Sequence, residues 1–433
     1  MTAPSTMPAR AADWIIFVVV YAGIAIGTIP YTRLSRSAIA LLGAIAVVAC
    51  GRLSFAAATE HRIDWTTLAL LFSLMLLAAS LRLAGFYTRI LQTILAHASR
   101  PLVLLTGIVA ASALLSALFA NDIVCLAFTP VLAAALAQAR RNPIPYLMAL
   151  ATSSNIGSAA TIIGNPQNML IGQSAHLSFG HFSAVITPLV IACLALNVVV
   201  VACVYRRALF APPASETTLQ ASTPEMPIVP FRPWHATKAL LITAGLVVTF
   251  LFIPVPREIA ALVAAGLVLI SRRQDPRKLF ALVDWDLILL FIGLFVVIGN
   301  VREHGLIDAA LDFVRSRGIP LYNPLPFSAI TLVLSNIVSN VPAVLLLKPG
   351  LPIPLSPADS ATHAWYLLAT VSTFAGNLTL LGSIANLIVA EQAQALGIRL
   401  SFIEYLKVGL PLTLLTTGLA VVYFVWILPA LSP

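Results

Sequence analysis

A chain of 433 residues that is 60% hydrophobic and only 9% charged has too few polar side chains to clothe a soluble core. Its mean hydropathy of +0.97 places it instead among proteins that thread a bilayer many times. The net charge of +9 would suggest a nucleic-acid partner in a soluble protein; here basic residues gathered in cytoplasmic loops explain it, and no nucleic-acid partner is expected.

In chain order, the apolar runs predict spans near 13–29, 37–51 and 65–84. The first lacks a small-residue cleavage site and reads as a retained span, not a signal peptide. An apolar element at 101–138 follows, with "FAND" near its centre. Next come a span at 143–172, interrupted by "SSNIGSAATIIGNPQNM", and a span at 181–205. Residues 206–236 are rich in proline and small polar residues and mark a linker. Beyond them the pattern resumes with spans at 237–254, 257–271 and 284–301, an element at 326–349, an interrupted span at 363–391 and a last span at 402–429.

The second series answers the first. "IDWTTLALLFSLML" matches "VDWDLILLFIGLFV", and Asp64 and Gly85 each precede their partners Asp284 and Gly305 by 220 residues. "FANDIVCLAFTP" matches "VSNVPAVLLLKP", with Asn121 and Asn340 219 apart. Ser153 answers Ser372 and Gly157 answers Gly376 at 219, and Asn168 answers Asn386 at 218. Element 326–349 has "SNIVSN" at its centre and 24 residues in all, about twelve per arm. An arm of that length rises about 18 Å, short of the ~30 Å hydrocarbon core. It is therefore expected to be a re-entrant hairpin, and by the repeat so is 101–138.

If the hairpins do not cross, each copy crosses five times and the second is inverted relative to the first, as in secondary transporters. The expectation is an all-α polytopic membrane protein: a first repeat (1–205), a cytoplasmic linker (206–236) and a second repeat (237–433). With both termini outside, 17 of the 25 Lys and Arg residues fall inside, which favours this orientation in a plasma (inner) membrane. Arg302, Arg315, Arg317 and Lys348 are exceptions; "LIDAALDFVRSRG" and "YTRILQTILAHAS" read as amphipathic helices in the interface.

Polar interruptions within spans need partners inside the protein. A broken helix presents free N–H groups to an anion and free carbonyls to a cation. The tips and breaks of both halves are expected to converge near the midplane as a solute site. First-half candidates are Asn121, Ser154, Asn155, Ser158, Thr161, Asn165 and Asn168. Those of the second half are Ser339, Asn340, Ser372, Thr373, Asn377, Thr379, Ser383 and Asn386. Single Gly or Ser residues of this kind often only permit close helix packing, and Asn168 and Asn386 could be interhelical glue. Asp122 is the one acid inside an apolar element far from an interface, costing ~2.5–3.5 kcal/mol at a helix centre. It reads as a proton carrier or cation ligand, or more blandly as a helix cap. With it, Asn121, Asn340, Gly157 and Gly376 are candidates for holding the coupling ion, H+ or Na+.

Cys50, Cys125, Cys193 and Cys203 form no C-x-x-C pair and read as small core residues. The seven histidines make no H-x-x-x-H; no metal site and no cofactor are expected. No phosphate-binding G-x-x-x-x-G-K-[ST] loop, H-E-x-x-H set or nucleophile motif appears, so neither a primary pump nor an enzyme is indicated. Asn165-Pro166 could suggest a channel, but the second half has no Asn-Pro partner for it.

These residues resemble the ion transporter superfamily that includes arsenical pump membrane proteins, citrate transporters and divalent anion–sodium symporters. "ANDIVCLAFTP" and "SNIVSNVPAVLLL" resemble arsenite-permease hairpin tips, and "SSNIGSAATIIGNPQNMLIG" is similar to the broken helix of anion permeases. The resemblance covers nearly the whole chain. It implies a homodimer with a scaffold and a mobile transport domain working by an elevator movement, with Asn121, Asp122, Ser339 and Asn340 facing substrate and coupling ion. Where sodium–dicarboxylate members carry Ser-Asn-Thr at both tips, this chain has Ala120-Asn121-Asp122 and Ser339-Asn340-Val341. That departure points from sodium-driven dicarboxylate uptake toward proton-coupled transport of a small anion or oxyanion. Sodium-coupled symport and cation/proton antiport are the alternatives, and an arsenite permease can also work with a separate ATPase subunit.

Overall fold

The structure is a computed structural model and describes residues 7–26, 34–98, 100–210, 229–271, 274–305, 323–353 and 360–431, with positions 309, 312 and 316. All regular structure among them is helical, and the chain is an all-helical polytopic membrane protein. Apart from those three positions, the expected interfacial helix near 306–318 lies outside the described residues, as does the middle of the linker.

The first series runs α1 (Met7–Ile26), α2 (Arg36–Ala49), a π-helical turn (Ala57–Arg62), α3 (Trp65–Leu83) and α4 (Phe86–His97). The paired helices α5 (Pro101–Leu118) and α6 (Asn121–Gln138) follow, then α7 (Ile144–Ser158), α8 (Pro166–Ser174), α9 (Phe179–Val204) and the short α10 (Arg206–Phe210). The second series begins with α11 (Pro233–Phe252), α12 (Arg257–Leu269), α13 (Pro276–Phe280) and α14 (Trp285–Glu303). It ends with α15 (Pro324–Val338), α16 (Asn340–Leu347), α17 (Ser360–Ala375), α18 (Ile384–Ala395) and α19 (Phe402–Val422).

Matched sequences take matched local structure. Asp64 caps α3 by accepting the Thr67 N–H at 3.0 Å, and Asp284 caps α14 by accepting that of Leu287 at 2.9 Å. The tryptophan after each aspartate donates its indole N–H to a preceding carbonyl, Trp65 to Thr59 and Trp285 to Phe280. Past each helix end, Gly85 and Gly305 take left-handed φ values of 70° and 69°, which a side chain would disfavour.

The element lengths differ from expectation in three respects. Seven helices, not ten, are long and apolar enough to cross a membrane among the described residues, α5 and α6 among them. The interrupted spans are divided into pieces of 15 and 9 residues and of 16 and 12, while α1 and α2 present short apolar stretches and α12 is only 13 residues long. The second hairpin has unequal arms of 15 and 8 residues, because Ser339 stops the first arm late.

Two groups of helices form. In one, α2 packs on α14, α3 on α12 and α1 on both α2 and α14. Fully buried Asp13 ties this group together: Arg52 donates to both its oxygens at 2.7 and 2.6 Å, and Asn300 Nδ2 donates at 2.8 Å. In the other, α5 packs on α7, α6 on α18, α15 on α17 and α9 on α19. The groups meet where α3 touches α8, α1 touches α15 and α14 touches α16. Of the cysteines, Cys125 and Cys193 are buried as expected, but Cys50 and Cys203 are exposed on helix exteriors.

Candidate functional site

The breaks are shorter than the polar stretches that announced them. Helix α7 continues through Ser153, Ser154, Asn155, Gly157 and Ser158, and only 159–165 separate it from α8. In the second half α17 runs to Ala375, and 376–383 separate it from α18. The polar side chains stay helical by bonding back along their own turn: Ser154 Oγ donates to Ala151 O at 2.9 Å and Ser158 Oγ to Asn155 O at 2.8 Å.

The loops of both breaks are held by repeat-related asparagines. Asn168 Nδ2 donates to Thr161 O at 3.0 Å and lies near Ser158 O and Ala159 O at 3.5 and 3.4 Å. Asn386 Nδ2 donates to Gly376 O at 2.7 Å and Thr379 O at 3.1 Å. Carbonyls freed by the break thus find donors, as burial requires. Thr161 Oγ1 donates to Ala117 O on α5, and Thr379 Oγ1 donates to Asn336 Oδ1 on α15 at 3.3 Å, so each break is also fastened to a hairpin.

Asn155 joins the halves. Its Nδ2 donates to Asn377 Oδ1 at 2.8 Å and Asn386 Oδ1 at 3.0 Å. Its Oδ1 accepts from Asn121 Nδ2 at 2.9 Å, at the first hairpin tip, and from Ser383 Oγ at 3.0 Å. Asn377 Nδ2 reaches back to Thr152 O at 3.2 Å. Beside this cluster, Asn165 Nδ2 donates to Ser158 Oγ at 3.0 Å and to Thr373 Oγ1 at 3.2 Å.

Other expected residues stand apart from the network. Ser372 Oγ donates only within α17, to Ala369 O at 3.3 Å. Asn340 Oδ1 is buried with no hydrogen-bond partner, its Nδ2 beside Gly376. Ser339 has φ 74° and ψ 161°, a region that costs a non-glycine residue about 1–3 kcal/mol. Asp122 is half-buried in the first turn of α6, a turn with no side-chain cap, where a negative charge suits the helix dipole. Gly157 packs against α5: a Cβ there would sit 2.3 Å from Ala113 Cα. Gly376 accepts from Asn386 through its carbonyl.

Sequence reading passed over Asn336, Gln167, Thr152 and Asn197. Gln167 donates to Thr373 Oγ1 at 3.2 Å, and Thr152 Oγ1 donates to fully buried Asn197 at 2.9 Å. Asn336 stands in the "SNIVSN" that marked the second hairpin tip, on the arm before the Ser339 break, so its polarity is visible in the sequence but its role is not.

The four N-termini of α6, α8, α16 and α18 thus border one buried amide and hydroxyl cluster. Asn165 caps α8 by accepting the Asn168 N–H at 2.8 Å, whereas α6, α16 and α18 have no side-chain cap. Their first-turn N–H groups suit an oxygen-rich solute.

A family model described as "Citrate transporter" matches residues 16–375. The silicon efflux transporter LSI3 of Oryza sativa subsp. japonica is 30% identical over 454 residues, covering 91% of this chain and 93% of that protein. The putative transporter arsB of Dictyostelium discoideum is 27% identical, covering 82% and 81%. The crystal structure of the Alcanivorax borkumensis YdaH transporter, described as having an unusual topology, superposes with a TM-score of 0.54 at 14% identity, covering 96% of this chain and 98% of that one.

Proposed function

The chain belongs to the citrate transporter family of the ion transporter superfamily and is a transporter, not an enzyme; from that premise we propose that it moves a small anion or oxyanion in exchange for, or together with, protons. The observation that carries this reading is the cross-half network at Asn155, which gathers a hairpin tip and both broken helices around one polar centre. Uncapped helix N-termini at α6, α16 and α18 supply donors for oxygen atoms. Among the cluster's hydrogen-bond partners there is no Lys, Arg or His, so binding would rest on backbone dipoles and neutral side chains. Asp122 is the titratable group at a tip and the proton carrier in this proposal.

Two five-span halves inserted oppositely, joined by a cytoplasmic linker at 206–236, would let tips and breaks exchange roles between inward and outward access. In that arrangement the group holding α5 to α9 and α15 to α19 moves against the group of α1 to α3, α12 and α14, within a homodimer. One relative is a silicon efflux transporter, and a silicon oxyacid would be an oxygen-rich cargo.

Counterflow in proteoliposomes tests the reading. Labelled solute should exchange without a net gradient, and Asn121→Ala or Asn340→Ala should each abolish exchange while the purified protein stays folded. Normal exchange by both variants would place the cargo elsewhere.

A further inference from the structure

The donors and acceptors of the cluster do not balance, and the imbalance differs between the halves. Asn168 Nδ2 and Asn386 Nδ2 face backbone carbonyls, as does Asn377 Nδ2. Those carbonyls cannot donate, so the amide orientations are set by the backbone and not by choice of rotamer. Following the network outward, the hydrogens of Asn155, Asn377, Asn386, Ser383 and Thr379 go to acceptors within it, and oxygen lone pairs are left over. Fully buried Asn168 Oδ1 has no partner, nor has Asn340 Oδ1. Ser383 directs its hydrogen to Asn155 and Thr379 directs its own to Asn336.

The first-half break is sealed, with every residue from 159 to 165 buried. The second-half break is open: Leu378, Thr379 and Leu380 are half-exposed and Leu381 is 54% exposed. Of the two breaks, the second-half one therefore presents the more accessible face. Asn336 shapes that face without a repeat-related equivalent, since the matching position is Ala117, whose backbone carbonyl accepts from Thr161 instead. Asn336 Nδ2 donates to Leu332 O at 3.0 Å and to Ala375 O at 2.9 Å, so its Oδ1 is left to face Thr379. A Cβ on Gly382 would lie 2.9 Å from that oxygen, so the glycine leaves the amide its place.

We propose that Asn336 is a positioning residue that turns the Thr379 hydroxyl hydrogen away from the opening, so that this face presents lone pairs and selects oxyacids that retain an O–H group. The inference rests on the transporter reading above. Uncapped N–H groups of α16 and α18 would take an oxo, ionised or hydroxyl oxygen of such a solute, while Thr379 and Ser383 accept its hydroxyl hydrogen. A fully deprotonated oxyanion would leave lone pair against lone pair, the kind of mismatch by which hydrogen-bonding sites reject an analogue.

Phosphate and sulfate provide the comparison, because they share shape and size but only phosphate keeps an O–H at neutral pH. Silicic acid, all hydroxyl, is the third probe. Each competes against the others in proteoliposome counterflow at one fixed neutral pH. Wild type should prefer phosphate and silicic acid to sulfate by at least about tenfold, the scale of one unpaired buried polar group. Asn336→Leu and Thr379→Val should bring that ratio toward one, and Thr379→Ser should preserve it. The ratio is read within each variant, so lower expression or rate does not mimic the effect. Equal competition by sulfate in wild type, or a ratio unchanged in Asn336→Leu, overturns the proposal. So does competition that requires sodium and loses that requirement in Thr379→Val, since the lone pairs then hold the cation. Counterflow of sulfate alone would leave the transporter reading standing while this inference falls; no counterflow of any of the three probes would likewise overturn this inference, while exchange of another labelled anion would still uphold the transporter reading.

Discussion

Asn155 and Phe374 occupy matching positions 219 residues apart, and the difference between them organises the centre of the protein. Asn155 Nδ2 satisfies Asn386 Oδ1 across the halves; Phe374 has no amide to offer, and Asn168 Oδ1 is left without a partner. At the same scale Asp122 has no acidic match, since Val341 stands in the second tip. If Asp122 carries the coupled proton, Asp122→Asn keeps the shape and removes the titration. Uptake driven by an imposed pH gradient should then fall to that of empty liposomes while counterflow persists. A variant that follows the pH gradient as wild type does would reduce Asp122 to a helix cap. The candidate asparagines and Asp122 were legible because polar residues inside apolar runs are conspicuous. Asn336 was not, because one polar residue among several in "SNIVSN" carries no mark of which atom it faces.

Among the elements, the interrupted spans show how far composition locates a break. Ser153 to Ser158 look like loop formers, yet they are helical, because a backbone in hydrocarbon keeps its hydrogen-bond ladder wherever side chains can fold back onto it. The ladder stops at Ser158 and restarts at Pro166, which lacks only an N–H that a first turn leaves unpaired, with Asn165 as the cap. In the second half Ser383 precedes the restart but bonds Asn155 instead of capping. Gly157 belongs to this scale as well. Gly157→Ala would set a methyl 2.3 Å from Ala113 Cα and force α5 from α7. Overpacking of this kind costs about 1–3 kcal/mol, so the thermal midpoint in detergent should fall. Gly245→Ala, whose Cβ would meet nothing within 4 Å, is the control and should leave the midpoint unchanged or raise it. Equal midpoints for Gly157→Ala and wild type would show that α5 and α7 can separate freely.

Across the whole molecule, the orientation in the membrane is the open proposal with the simplest test. Single cysteines introduced at Ser215, in the linker, and at Ser432, near the carboxyl terminus, should label from opposite sides, in a background with Cys50 and Cys203 removed. Equal labelling of both by an impermeant reagent on intact cells would end the five-plus-five arrangement. Hydropathy determined the class of protein and the order of its main elements, and recurring Asp-Trp, Gly and Asn positions proposed the pairing of its halves, because apolar run lengths and residue spacings are local properties of the chain. The tertiary structure decided which polar groups meet. Asn121, Asn155, Asn377 and Asn386 are separated by up to 265 residues, and no local pattern tells which of their amide hydrogens are already consumed. That depends on which freed carbonyls lie within 3 Å or so of each amide, and packing of α6 on α18 and of α7 on both brings them there.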